Sequence, residues 1–300
     1  MAFCPRLWYA EGEVMHMKRL LALLLLCCLL PLGAWAEEKA YEYTDRLLLA
    51  AYDSDTLKYE IHLVRLNDTT CYLTRLWLAD PARQIKKVIS PWYMDLARAE
   101  DLAAQVEGAA LVINGSGYVS PNYPAIPETY PGTSMDYYYT PLGSLAVVDG
   151  QVLRNLEGVP YYGLTLEEDG LHLYVGADNG EVLAHQPLQT WSFYEGCPMA
   201  QDGADILDHD WYFANRRAIR TILAKLREEN TYLILTATDT FGLTLVEAND
   251  FLLGEFAPEW VYDLDGGPST ALFYRHREEQ ALRLLYGAGQ RIVDVMGFVE

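Results

Sequence analysis

Basic residues are scarce in this 300-residue chain, with 22 Lys and Arg against 42 Asp and Glu and a formal charge of −20. Sequence-independent binding to DNA, RNA or an anionic membrane surface rests on Lys and Arg displacing counterions from phosphate, so nucleic acid is excluded as a default partner. Any anionic ligand must find a local basic pocket. Cysteine is scarce too, five in all, and three of these (Cys4, Cys27, Cys28) precede residue 37. Long apolar runs are missing except for Leu20–Leu30, eleven residues, where a membrane-spanning helix needs about 20. The chain has no His-Glu-x-x-His helix, no Walker phosphate loop and no Gly-x-Ser-x-Gly elbow, and no repeat unit recurs. Nucleotide hydrolysis and serine-esterase chemistry thus lose their usual signatures, and solenoids and propellers are excluded. What is present, 51% hydrophobic against 21% charged residues, is the composition of a folded protein.

The apolar run has a context. Met17-Lys-Arg precedes it, and Pro31-Leu-Gly-Ala-Trp-Ala36 follows it before Glu37-Glu38. Basic start, short apolar middle and Ala34-x-Ala36 predict a secretory signal that begins at Met17 and is cleaved after Ala36. The expected organisation is therefore 1–36 as extension and signal, and 37–300 as one domain, secreted or in the cell envelope, with no stable membrane span after cleavage. Cys71 and Cys197 would then remain in an oxidising compartment, either as a disulfide or as two separate buried thiols.

Along 37–300 the pattern is mostly short strands and tight turns. Leu57–Leu66 and Cys71–Ala79 read as neighbouring strands around Asn67-Asp68, and Asp80-Pro81 closes the second. A helical stretch opens near Ser90-Pro91, becomes clear from Asp95 and ends at Gly108, followed by a buried strand Ala109–Ile113. From Tyr118 to Pro141 runs a loop with tyrosines at 118, 123, 130, 137, 138 and 139, which either stack on sugar rings or pack the loop itself. Asp149-Gly150, Asp169-Gly170 and Asp178-Asn-Gly180 mark hairpin turns. Thr244 and Glu247 have capping-box spacing at the start of a helix reaching about Leu253. Glu259–Leu264 and Ile292–Phe298 are further strands. The expected class is α+β, a single domain of mainly antiparallel sheet with a few packed helices.

The chemistry concentrates in Val261-Tyr-Asp-Leu-Asp-Gly-Gly-Pro-Ser-Thr270. Residues i and i+2 share a strand face, so Asp263 and Asp265 project together, and the glycines allow close approach of backbone to a ligand. Asp265 reads either as an acid or base or as a turn carboxylate capping backbone N–H groups. Arg216, Arg217 and Arg220 form the densest basic cluster, either a phosphate clamp or a solvated face. Glu247 is either a second carboxylate or only the capping residue. Asp202, Asp205, Asp208 and Asp210, with His209 among them, are either calcium ligands or a solvated acidic loop without EF-hand spacing. The remaining histidines have no zinc spacing.

Six separated segments, in order, resemble the phosphodiester glycosidase family. They are Leu111-Val-Ile-Asn-Gly-Ser-Gly-Tyr118, Pro141–Gln151, Phe193–Gly203, Arg220-Thr-Ile-Leu-Ala224, Gly242-Leu-Thr-Leu-x-Glu247 and Leu264-Asp-Gly-Gly-Pro-Ser-Thr270. Ala224 and Pro268 stand where that family has glycine, an extra residue interrupts the Asn-Gly segment, and Cys197 lies inside the third segment. The resemblance implies a hydrolase cleaving a sugar-1-phosphodiester, of the GlcNAc-1-phosphodiester kind, at the anomeric carbon, without a cofactor. Asn114, Arg220, Thr221, Gly266, Gly267 and Ser269 would bind substrate, and Asp265, Glu247 and Asp263 would carry the catalysis. Arg220 and the glycine-turn N–H groups would hold the phosphodiester. The alternative is a non-catalytic wall or polysaccharide-binding module on the same fold. The resemblance also implies a strand at Arg220–Leu226, whereas the apolar positions Ile219, Ile222, Leu223 and Leu226 by themselves read as one face of a helix.

Overall fold

The computed structural model describes residues 41–300 other than 92–94, 120–139, 142, 194, 239–240, 277–278, 280 and 288. The expected signal at 17–36 and most of the tyrosine loop lie outside the described residues. Residues 41–300 form one unit, mostly antiparallel sheet with few helices.

An eight-stranded antiparallel sheet runs in the order Tyr43–Asp53, Leu57–Leu66, Thr69–Leu78, Thr231–Ala237, Arg220–Lys225, Trp260–Asp263, Pro198–Gln201, Ala204–Asp205. The outer hairpin alternates because each half of it is covered on one side only. Leu57, Tyr59 and Ile61 face one core, while Val64 and Leu66 face the other. Asn67, at φ 52°, makes its turn. The central strands are buried on both faces, and their side chains read as unbroken apolar runs.

That double burial explains the helical reading of 219–226. A strand covered on both sides shows no alternation, so its apolar residues fall by chance at helical spacing. The structure has a strand at Arg220–Lys225, paired residue for residue with 232–237, and only a short helix, Tyr212–Asn215, before it.

One face of this sheet packs on the helix Leu245–Phe256 through Leu245, Ala248, Phe251 and Leu252. Thr244 caps it, with the reciprocal bonds of a capping box to Glu247, and Ala257 ends it in the left-handed region at φ 44°. The other face packs on a five-stranded antiparallel sheet, in the order Leu282–Gly287, Ala271–Arg275, Ala109–Asn114, Asp294–Val299, Ile85–Ile89. A three-stranded sheet of Gly170–Ala177, Tyr161–Glu167 and Gln189–Ser192 joins the same core through Leu164, Leu166, Leu171 and Trp191.

Two expectations are corrected, and one pair of alternatives is decided. The helix expected from Asp95 to Gly108 is one short piece, Ala99–Ala103, preceded by a two-residue strand at Ala97–Arg98. Asp178-Asn-Gly180 makes no hairpin. The Asp178 carboxylate accepts from Gly180 N at 2.8 Å and caps a helix, Asn179–Ala184, a use of Asp that competes with the turn. Cys71 and Cys197 are buried in the cores on opposite faces of the large sheet, so no disulfide joins them.

Candidate active site

The site lies where the large sheet meets the five-stranded one. The buried strand Ala109–Asn114 ends in Asn114, fully enclosed, whose amide connects three segments. Its Nδ2 donates to Asp265 O at 2.5 Å, and its Oδ1 accepts from Thr221 Oγ1 at 2.8 Å and from Ala271 N at 3.0 Å. Asp265 N in turn donates to Gly115 O at 3.1 Å, and Leu264 N to Thr221 O at 2.9 Å. Asn114, Thr221 and Asp265 therefore form one hydrogen-bonded group.

After Asp263 the chain leaves the sheet and turns through a short 3-10 segment, Gly267–Ser269. Gly267 sits at φ 58°, where a side chain would be strained. Pro268, in place of the third glycine, falls within the first turn of that segment, where its missing N–H and fixed φ are tolerated.

Asp265 is buried, with 9% of its surface exposed. Burial pushes its carboxyl up to about 7, with the neighbouring charges of Asp263 and Asp294 adding to the rise, while hydrogen bonds from Ser269 and from Gly266 N (2.9 Å to Oδ1) oppose it. Asp263 is deeper. Burial pushes it up to about 6 against the pull of Arg220, whose Nη1 stands 3.2 Å from Asp263 Oδ2. Asp263 Oδ1 has no hydrogen-bond partner among the described residues. Two adjacent carboxyls in low dielectric, both displaced upward, are a common mark of a reaction centre.

The donors expected to grip a phosphate are spent inside the fold. Besides Asp263, the Arg220 guanidinium serves the carbonyls of Leu243 (3.4 Å), Phe213 (2.9 Å) and Arg216 (2.8 Å). Gly266 N is held by Asp265, and Gly267 N donates to Ile219 O at 2.7 Å. The arginine cluster is split. Arg217 pairs with Asp68 and, at 2.8 Å, with Glu247, and Arg216 is exposed. Glu247 is engaged on both oxygens, Oε1 by Asn67 Nδ2 (2.8 Å) and Arg217, Oε2 by Thr244 N (2.9 Å) and Thr244 Oγ1 (3.1 Å).

The aspartates at 202, 205, 208 and 210 do not gather as calcium ligands. Asp205 holds His209 at 2.8 Å, Asn249 Nδ2 at 2.9 Å and Leu207 N at 2.9 Å, and no three of these acids bring carboxylate oxygens together.

Behind Asp265 lies a pair that sequence reasoning missed. Lys87 Nζ stands 3.0 Å from Asp294 Oδ2, both side chains fully enclosed, and also donates to Thr190 O. Burial pulls the Lys87 ammonium down from its ordinary value, with Asp294 pulling the other way. Asp294 Oδ1 accepts from Ser116 N at 2.6 Å, and Asp294 O from Gly115 N at 3.1 Å. A Cβ on Gly115 would stand 2.0 Å from Asp294 Oδ1, so this glycine lets the Asn-Gly segment lie directly on the buried carboxylate. A lysine in an alternating strand and one acid in an apolar strand carry no sequence signal of this meeting.

Comparison with solved structures relates the fold to that of a glycosidase catalytic domain. One neighbour is the zebrafish N-acetylglucosamine-1-phosphodiester α-N-acetylglucosaminidase catalytic domain, auto-inhibited by its pro-peptide, with a TM-score of 0.61 and 14% identity over 87% of this chain and 88% of that one. A hypothetical protein from Synechocystis follows at TM-score 0.50 and 13% identity, covering 82% of this chain and 63% of that one. At these identities the likeness is one of fold. No protein-family model and no curated protein sequence matches the chain. Among the described residues no helix is long and apolar enough to cross a membrane.

Proposed function

We propose that this chain is a secreted hydrolase that cleaves a sugar-1-phosphodiester, GlcNAc-1-phosphodiester or a close relative, at the anomeric carbon. The observation that carries the reading is the hydrogen-bonded group of Asn114, Thr221 and the Asp265 backbone, drawn from three of the family-like segments, which fixes the residue whose carboxyl burial pushes up to about 7.

In the net reaction water adds OH to the anomeric carbon, the bond from that carbon to the phosphodiester oxygen breaks with its electron pair leaving on the phosphomonoester, and the remaining water proton passes by way of Asp265 to the phosphate or solvent. Phosphate leaves more readily than a sugar alkoxide, so acid assistance matters less than stabilising the oxocarbenium-like transition state. Asp265 acts ionised, as nucleophile or base at that carbon. Asp263, held by Arg220, is the second carboxylate of the site, and Asn114 fixes the Asp265 backbone.

With Arg220 committed to Asp263, the phosphate contact falls to Arg291. Gln290 N donates to Pro268 O at 3.1 Å, which places the backbone just before Arg291 at the glycine turn. Its Nε donates to Leu96 O at 2.9 Å, and its Nη atoms are unbonded among the described residues.

The test incubates purified protein with GlcNAc-1-phosphodiester and other sugar-1-phosphodiesters and measures free sugar. Asp265→Ala should abolish release, and Arg291→Ala should raise KM about tenfold or more, the worth of one charge-assisted contact. No release by wild type from any of these substrates would favour the binding module, and equal release by wild type and Asp265→Ala would refute the role of Asp265.

A further inference from the structure

The turn Glu167-Glu168-Asp169-Gly170 gathers a second set of side chains that has no place in the reaction above. In the antiparallel pair of Tyr161–Glu167 and Gly170–Ala177, His172 lies opposite Thr165 and Tyr174 opposite Gly163. With a side-chain period of two, Thr165, Glu167, His172 and Tyr174 share one face. The helix Asn179–Ala184 follows, and its C-cap, His185, returns to that face.

Potential ligand atoms of Glu167, Asp169 and His172 all lie within 4.8 Å of one another, the only such group of three His, Cys, Asp or Glu side chains among the described residues. His172 Nε2 stands 2.7 Å from Asp169 Oδ1, and His185 Nδ1 stands 3.6 Å from Glu167 Oε2. A tetrahedron with zinc-like bond lengths has edges of about 3.4 Å, so an ion would open the 2.7 Å pair of His172 and Asp169, close the wider gaps within the group, and draw in His185, which stands 3.6 Å from Glu167 but outside that group of three.

Glu167 makes this more than a pair of surface salt bridges. Its side chain is 8% exposed, and its Oε1 accepts from Thr165 Oγ1 at 2.6 Å and Tyr174 OH at 2.8 Å. Two hydroxyls thus orient a buried carboxylate and leave Oε2 toward His185, the arrangement by which outer partners aim a metal ligand. The two imidazoles are 39% and 59% exposed, so an ion can reach the group from solvent.

We propose that Glu167, Asp169, His172 and His185 bind one divalent transition ion of the zinc class. Two imidazole nitrogens with two carboxylates suit zinc, nickel or copper, whereas calcium and magnesium prefer all-oxygen sets. The ion would tie the hairpin turn to the end of the following helix.

The experiment strips the full chain with a chelator and titrates it calorimetrically with Zn²⁺, then records the visible ligand-field spectrum with Co²⁺. The expected result is one Zn²⁺ per chain, a four-coordinate cobalt spectrum, and no competition from excess Ca²⁺ or Mg²⁺. His172→Ala and His185→Ala, both at solvent-reached positions, should each weaken binding at least about tenfold, and Thr165→Val, which removes the hydroxyl that donates to Glu167, by about tenfold. Circular dichroism checks that each variant is folded. Absence of saturable one-to-one binding, binding unchanged in the double His172→Ala/His185→Ala variant, or equal competition by Ca²⁺ would overturn the proposal.

Discussion

The Thr221 hydroxyl donates to Asn114 Oδ1 at 2.8 Å, joining the middle of the eight-stranded sheet to the middle of the five-stranded one. Asn114 serves Asp265 O and Ala271 N as well, so its removal orphans one buried acceptor and one buried donor and leaves the Thr221 hydroxyl only its longer bond to Thr270 Oγ1 at 3.4 Å. With about 1–3 kcal/mol for each orphaned group and some relaxation, Asn114→Ala should destabilise the protein by about 3 kcal/mol in urea denaturation. Asn114→Asp should be at least as damaging, because it sets a carboxylate oxygen against the Asp265 carbonyl.

Stability and activity should respond to pH in opposite senses at Asp265. A carboxyl raised to about 7 by burial favours the protonated form in the native state. Its stabilising contribution is complete below its unfolded value of about 4 and is lost as pH rises through about 7. Wild-type stability should therefore fall over that window, and Asp265→Asn should flatten the fall by up to a few kcal/mol. Hydrolysis, needing the ionised form, should rise across the same window, with kcat/KM levelling off above about 7. A kcat/KM that declines from pH 5 to 7 would instead make Asp265 an acid.

Lys87→Met should cost about 3–5 kcal/mol, because it leaves the enclosed Asp294 charge without its counter-ion. Adding Asp294→Asn should recover part of the loss, since Asn can still accept from Ser116 N. A chemical-denaturation double-mutant cycle measures the coupling, and simple additivity would show that the pair is not energetically linked.

Glu247→Gln separates anchoring from catalysis. Every acceptor direction of Glu247 is already occupied by Thr244, Asn67 or Arg217. Glutamine can keep a capping box, so thermal unfolding should shift by less than about 1 kcal/mol and sugar release should persist, while Glu247→Ala should cost about 1–2 kcal/mol. Loss of turnover in a fully stable Glu247→Gln would restore this residue as a reacting carboxylate.

Much of this architecture was legible wherever one face of an element is wet. The outer hairpin around Asn67 alternates, and the Thr244–Glu247 cap has its own local signature. Legibility failed where burial erased the period, as in Arg220–Lys225, and where one residue type serves two purposes, as Asp178 does. At the site, Asp265 was visible from its glycine-rich turn, but the use made of Arg220 was not, because its partners include three backbone carbonyls. Lys87 with Asp294, and Glu167 with His185, are brought together only by the fold.

The Asn114 bonds also bear on how the protein reaches its native state. They close chain separations of 107 residues to Thr221 and 151 to Asp265. Contacts of that span carry their loop-closure entropy before they return anything, so they form late in a slow-folding topology. The surroundings of Asp265 are thus among the last things the chain assembles. Helix and hairpin signals would recover first on refolding, and no fragment lacking either end of that span could carry the site.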